Sequence, residues 1–290
     1  AYTKAVDIMK NTADVDIQLL AIPGIRQAVI TDAAAEACND RFDAMLIMDI
    51  IEKDELDSNV TSSADQNVHV GNTTTNHTNR NLDSNFSAAY FPDVIIPDPT
   101  IGTSVRVPPS VAVLGAYALN DALGHPWFAP AGYSRGSLGS TTEAAVKLSK
   151  DNLDVLYEAD INPIVAFANS NGPVVWGQKT LQKAQTALDR VNVRRLLIEL
   201  RREVREVANT IIFEPNREAT LSKFSALVRP RLEAIQAKRG VTQFKIQIDT
   251  TTTSVADVEN NTIRGKIFIV PTRTVEFVSL DFVVSNQGEA

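Results

Sequence analysis

Few residues in this chain could do acid–base, nucleophilic or metal chemistry, and their spacing serves it poorly. The sequence holds three histidines, His69, His77 and His125, and one cysteine, Cys38. His69 and His77 stand eight positions apart in a polar stretch. No third His or Cys lies near to complete a metal site, so both read as solvated loop residues. His125 precedes Pro126 and Trp127 and reads as structural. A hydrolytic triad needs a serine held by a base. Ser110 follows two prolines and lacks the G-x-S-x-G elbow. Ser134 and Ser137 sit in a glycine-rich loop with no histidine nearby. That loop, residues 132–139, suits a phosphate, but it lacks the Gly-Lys-Ser/Thr ending and no clear strand leads into it. It reads better as a turn at a junction. Asp49 and Asp98 fall in or after apolar runs, where α/β enzymes place polar groups. Without a metal or base motif they specify no reaction, and Asp49 reads as a buried, hydrogen-bonded carboxylate. Cys38 lies in an alanine-rich helical context and reads as an inert thiol. These residues give no catalytic, cofactor or metal site and point to a non-enzyme. The competing reading is an α/β hydrolase-like enzyme using Ser110 or Asp49.

Composition narrows the class further. The 290 residues are 44% hydrophobic and 22% charged, enough for a sizeable core and unlike a disordered chain. The net charge of −7 lacks the basic footprint of a nucleic-acid binder. No apolar run approaches the roughly 20 residues that span a bilayer, so no membrane insertion is expected.

The elements that must position these residues fall into two units. In residues 1–128, the runs at 17–21 and 28–30 read as strands, or as a strand and a turn, and an alanine-rich helix covers 31–39. Residues 44–51 form a near-continuous apolar run, as in a buried parallel strand. Residues 57–84 are rich in Asn, Thr, Ser and Asp and read as a long polar surface loop. Residues 86–91 read as the last turns of a helix, 94–96 as a buried strand, 105–107 as an edge strand, and 111–123 as a helix opened by prolines. Residues 124–139 hold the Gly and Pro of a boundary. In 129–290, a helix is expected over 143–158 and strands over 161–167 and 173–178. A strongly amphipathic helix runs over 193–213, and a second over 217–239 is kinked or split at Pro230. Alternating strands follow at 244–248, 267–270 and 275–278, with an apolar run at 280–284. The fold class is therefore α/β followed by α+β, the second unit setting two long helices on a mixed sheet.

Two features could serve contact rather than catalysis. One is the polar face of the first long helix, with Arg194, Arg195, Arg201, Arg202 and Arg205 among glutamates. It reads either as a solvated face with internal pairs or as an intersubunit surface. The other is the apolar tail with Val275, Phe277, Leu280, Phe282 and Val284, which either closes its own sheet or adds to a neighbour's edge.

An ordered series of segments carries a family resemblance. It runs through Ala129-Pro130-Ala131-Gly132, Ile161-Asn162-Pro163-Ile164-Val165 and Gly172-Pro173-Val174-Val175-Trp176-Gly177-Gln178. It continues through Asn192-Val193-Arg194-Arg195-Leu196-Leu197-Ile198, Phe213-Glu214-Pro215-Asn216 and the tail at 276–285. In this order the series resembles the C-terminal half of contractile tail sheath proteins of tailed bacteriophages. Upstream, residues 88–92 and 107–110 also fit, so the resemblance covers about 17–284. It implies an incomplete subtilisin-like middle α/β domain without protease activity over 1–128, and the family's C-terminal sheath domain over 129–290. It further implies a homo-oligomer of stacked hexameric rings, or a helical sheath, around an inner tube protein, with baseplate and tail terminator proteins as further partners. Such a sheath contracts to drive the tube through the host envelope. It resides in the virion tail, and in the host cytoplasm during assembly. The usual N-terminal region of the family is missing, so the chain is expected to be a fragment. A sheath from a related bacterial contractile device fits the same residues.

Overall fold

The architecture comes from a computed structural model that describes residues 1–52, 63–100, 102–168, 170, 172–249 and 251–276. Helix Tyr2–Met9 (α1) leads to the short strand Leu19–Ala21 (β1) and helix Ala28–Arg41 (α2). Strand Met45–Asp49 (β2) is buried at every position and packs against α2. Helix Ser63–Thr78 (α3) and strand Ser87–Phe91 (β3) follow. Strands Val94–Asp98 (β4) and Thr103–Val107 (β5) form a hairpin that leads into helix Pro109–Leu123 (α4). A single helical turn, Gly132–Arg135 (α5), and strand Glu143–Ala144 (β6) precede helix Lys150–Glu158 (α6), which the Ser149 hydroxyl caps. Strands Ile161–Val165 (β7) and Val174–Val175 (β8) come next. The long helices Val191–Asn209 (α7) and Glu218–Ala237 (α8) then pack on each other. Strand Val241–Gln247 (β9), helix Val255–Glu259 (α9) and strand Lys266–Pro271 (β10) close the described chain.

Among the described residues three sheets form. The largest has the order β1-β2-β3-β7-β8, parallel through β7 and antiparallel at β8. A small antiparallel sheet has the order β5-β4-β6, and β9 pairs antiparallel with β10. The described residues enclose two apolar cores. The first joins the large sheet to α2 and α4, with Met45, Leu46, Ile47, Met48, Tyr90 and Phe91 fully enclosed. The second lies between α7, α8 and the β9–β10 hairpin, around Leu196, Val228 and Leu232. Each such side chain contributes roughly 1.5–3 kcal/mol by leaving water. Helix α7 serves both cores: Val191 and Ile198 lie in the first, and Leu196, Leu200 and Val207 in the second.

The structure revises several expectations. Residues 28–30 belong to α2 rather than to a strand. Residues 87–91 are a central strand, not a helix end. Ala88 and Ala89 are wholly buried between two parallel neighbours, so the segment shows neither alternation nor a polar face. Most of the supposed polar loop is α3. Its buried positions, His69, Val70, Thr73, Thr74 and His77, recur at helical steps. The stripe is built from Thr and His, which a search for aliphatic periodicity passes over, and Thr74 and Thr78 return their hydroxyls to carbonyls one turn back. Residues 57–62 of that expectation lie outside the described residues. The helix expected over 143–158 starts only at Lys150. Strand β4 is only partly buried and sits in the small antiparallel sheet. Helix α8 runs through Pro230 without a break. Among the described residues the second unit rests on a two-stranded antiparallel pair, β9 and β10, and its expected strand at 280–284 lies outside them. The mixed sheet belongs to the first unit and takes β7 and β8 from beyond residue 128, so the expected boundary at 128/129 falls inside it.

Candidate functional site

Asp49 ends β2 and receives three hydrogen bonds, from the Gly24 amide at 2.9 Å, the Ser110 amide at 2.9 Å and the Ser110 hydroxyl at 2.7 Å. Pro109 and Ser110 open α4; Pro109 has no amide proton to satisfy, and the Ser110 amide has no partner inside the helix, so a buried carboxylate there satisfies backbone and complements the helix dipole. Asp49 is 2% exposed and Ser110 0%. The serine proton is committed to Asp49, and neither group can meet a substrate. The two residues that the hydrolase reading offered as alternatives together form a structural clamp that joins the β1–α2 turn, β2 and α4. Asp98, in β4, accepts the Thr100 amide at 2.8 Å in a surface turn.

His69 and His77 are also enclosed, whereas His125 is half-buried and stacks on the Trp127 ring at 4.6 Å. Burial, reinforced by the charge of Arg80, lowers the His77 pKa from 6.5 to about 4, so it is neutral at physiological pH. His69 Nε2 lies 3.5 Å from Glu52. Glu52 and Asp93 share two guanidinium groups: Arg106 reaches Glu52 at 2.6 Å and Asp93 at 2.8 Å, and Arg26 reaches Asp93 at 2.5 Å. Burial opposes the Glu52 charge, but the His69 hydrogen bond and the two arginines outweigh it and hold the carboxyl below its usual range. Asp93 is raised, by burial first and then by the charge of Glu52. This network ties β4 and β5 to the large sheet, and sequence reasoning missed it, because its members are scattered over 26–106 with no common spacing. Among the described residues no group of three or more His, Cys, Asp or Glu could hold a metal ion. Cys38 is fully buried, and burial pushes its thiol up to about 12.

The glycine-rich loop is also structural. A Cβ on Gly136 would lie 2.7 Å from Ala131 Cα and 2.8 Å from Gly132 N. The Gly136 carbonyl accepts the Val175 amide at 2.8 Å, and Ser137 bridges to Val174. The loop's backbone is committed to β8 rather than to a phosphate.

The arginine face of α7 turns largely inward. Arg194 is 7% exposed and lies over the Phe86 ring at 4.0 Å, with burial lowering its pKa to about 10. Arg195 grips Asp121 with both terminal nitrogens, at 2.8 and 2.6 Å, beneath the Tyr117 ring. Arg202 pairs with Asp16 at 2.7 Å, Arg205 with Asp43 at 3.2 Å, and Arg201 stacks on Phe42 at 5.2 Å. The partners all belong to the first unit, so the face is mainly a seam within the chain. Amphipathicity marks a polar face but not what lies opposite it. Arg201 and Arg205 keep exposed surface, whereas Arg194 and Arg195 have almost none.

Of the tail, Val275 is 82% exposed, while Phe277, Leu280, Phe282 and Val284 lie outside the described residues. Glu276 is anchored by Arg190 at 2.8 Å, Gln178 at 3.0 Å and the Tyr157 hydroxyl at 3.3 Å. Residues 274–276 thereby form one wall of a groove of about 480 Å³, whose other sides include α5, α6 and Trp176. Beside it Tyr133, Phe167 and Trp176 meet ring to ring at 4.7–5.8 Å, with Tyr133 and Trp176 about half exposed. The β9–β10 hairpin has no further strand on either side among the described residues, and its outer face shows Phe268 and Val270, each 52% exposed.

Residues 1–181 match the family described as the phage tail sheath protein central domain. Over 180 residues, 62% of this chain, the sequence is 34% identical to the tail sheath protein of Vibrio phage KVP40. Over 182 residues, 63% of the chain, it is 29% identical to that of Enterobacteria phage T4. These matches span only 27% and 28% of the two relatives. Two solved structures share the fold over 96% of the chain. One is the baseplate of the anti-feeding prophage, with TM-score 0.74, 20% identity and 72% of that chain covered. The other is the contracted sheath complex of the PVC extracellular contractile injection system, with TM-score 0.76, 21% identity and 74% of that chain covered.

Proposed function

From the premise that this chain belongs to the phage tail sheath family, we propose that it is a subunit of a contractile tail sheath, polymerising as hexameric rings or a helix around an inner tube. A baseplate signal triggers contraction, which drives the tube through the host envelope, and a terminator protein closes the far end. The protein works in the virion tail after assembly in the host cytoplasm, and it turns over no substrate. Its α/β unit corresponds to the family's middle domain, with a subtilisin-like arrangement that lacks protease activity. The helices α7 and α8 with the hairpin correspond to its C-terminal domain.

The observation that best supports self-assembly is the β9–β10 hairpin. Two strands alone are marginal in water, and among the described residues this pair has unpaired edges and outward Phe268 and Val270. Addition of a strand from a neighbouring subunit, with the tail residues Val275, Phe277, Leu280, Phe282 and Val284 as donors, would complete the sheet. A bistable polymer of rigid subunits needs no nucleotide site. The enclosure of Asp49, Ser110 and Cys38 fits such a role.

Electron microscopy of the intact protein tests the proposal. Striated tubes or rings support it. A protein that stays monomeric at high concentration and hydrolyses an ester or peptide until Ser110→Ala abolishes turnover overturns it. The sheath of a bacterial contractile injection device is a second reading, favoured by the two shared folds. The proteins bound when tubes are purified from their source distinguish the two.

A further inference from the structure

Phe213 is completely exposed, at 102%, and adopts φ +72°, the left-handed region that an aromatic residue seldom enters. Its neighbour Ile212 is 55% exposed. Both sit on the turn between α7 and α8, and that turn is well secured. The Glu214 amide donates to the Ile211 carbonyl at 3.1 Å, Thr220 Oγ1 donates to the Pro215 carbonyl at 2.6 Å, and Asn216 donates to the Thr262 carbonyl at 3.2 Å. The chain thus spends hydrogen bonds and an unfavourable backbone angle to hold a phenyl ring in water. Neither cost is recovered within the described chain.

The groove beside Trp176 has the opposite shape. Its 480 Å³ lies in the range that receives ligands and side-chain anchors. Apolar atoms of Ala129, Ala131, Leu153 and Val275 line it, and the exposed rings of Tyr133 and Trp176 stand at its rim. Lys150 lies at its edge and makes no ion pair among the described residues, while Glu214 follows Phe213 directly.

We infer that the Ile212–Phe213 knob of one copy docks into the Tyr133–Trp176 groove of a second copy. The inference rests on the reading of the chain as a self-assembling subunit. A ring or helix built from one chain needs a heterologous contact, in which one patch meets a different patch on the next copy. A convex apolar patch and a concave one at separate places on one chain meet that requirement, whereas either alone does not. Charge agrees, because Glu214 arrives with the knob at a groove whose lining sets Lys150 and Arg135 against Asp154, its other carboxylate, Glu276, being already paired with Arg190. An aromatic anchor in a pocket is the usual form of an interface hot spot.

Engineered thiols test this in the intact protein, where the natural Cys38 is buried and stays silent. Assembly of the parent is established first by microscopy. Phe213→Cys and Tyr133→Cys are then made in separate chains and oxidised alone and mixed. The expected result is a disulfide dimer in the mixture only, and a ladder of dimers, trimers and higher species from the chain carrying both changes. Phe213→Ala should leave the circular dichroism spectrum unchanged and raise the half-association concentration about tenfold or more. A parent that assembles while the mixture yields no more dimer than either single variant overturns the inference and leaves the polymer reading standing. A parent that never assembles overturns both.

Discussion

Replacing Asp49 by Ala should be among the most damaging single changes in the first core, although it removes no apolar packing of note. The substitution strands three buried donors: the Gly24 amide, the Ser110 amide and the Ser110 hydroxyl. Each buried donor left without an acceptor costs about 1–3 kcal/mol, so three of them should cost the variant roughly 3–9 kcal/mol. In a domain with about 5–15 kcal/mol of stability, that is a large share. Asp49→Asn keeps one acceptor oxygen for the Ser110 amide, and the serine hydroxyl can rotate to accept from the new NH2. The Gly24 amide alone loses its partner, for a cost of about 1–3 kcal/mol. Ser110→Ala leaves two amides on the carboxylate and should cost about 1 kcal/mol. Urea denaturation followed by circular dichroism gives the three values, and the order Ala, Asn, Ser110→Ala is the test. In a thermal scan Asp49→Ala should melt about 10 °C lower. An Asp49→Ala protein within about 1 kcal/mol of the parent would refute the clamp. So would a Ser110→Ala protein as unstable as Asp49→Ala, because the hydroxyl would then matter for a reason other than its bond to Asp49.

Three further outcomes follow from the same geometry. His77 has a folded pKa of about 4 against 6.5 unfolded, so the unfolded chain takes up the proton first on acidification. Its contribution is complete above pH 6.5 and is lost as pH falls toward 4, by up to about 3 kcal/mol; denaturation at several pH values should show that slope, flattened in His77→Gln. Arg195→Ala breaks the two-pronged grip on Asp121 and should cost about 2–3 kcal/mol in urea denaturation, and Arg195→Lys should recover little, because an ammonium cannot make the paired contact. Gly136→Ala forces a methyl against the Ala131 and Gly132 backbone and should cost about 1–3 kcal/mol in a thermal scan, whereas Gly139→Ala, with open space around it, should be nearly neutral.

Much of the fold was legible where one physical signal dominated. The apolar run at 44–51 could only be a strand covered on both sides, and α7 and α8 announced themselves by three- and four-residue apolar steps. Legibility failed where burial was polar or the residues small. The Thr and His stripe of α3 looks like a loop to any scale of hydrophobicity, and Ala88 and Ala89 of β3 give no periodicity. The sheet's reach across residue 128 was hidden because parallel pairing is a long-range fact, and the Gly and Pro cluster at 124–139 marks a real turn without marking the end of a core. Among functional residues, the enclosure of Asp49 and the inertness of Cys38 were readable from their apolar settings. The direction of the arginines was not, since the acids they meet lie 74 to 186 positions away. Phe213 offered a signal that spacing alone does not weigh: a large apolar residue just past the last helical turn and two before a proline.

Helix α7 gives the molecule a mechanical property that neither core has alone. Its 19 residues make a rod of about 28 Å, rooted in the large sheet by Val191 and Ile198 and in the second core by Leu200 and Val207. A pull on the β9–β10 hairpin is therefore delivered to the parallel sheet through a stiff beam, braced along its length by Arg195, Arg202 and Arg205. Among the described residues α7 runs unbroken between the two cores, so a load should turn both as one piece rather than bend one against the other.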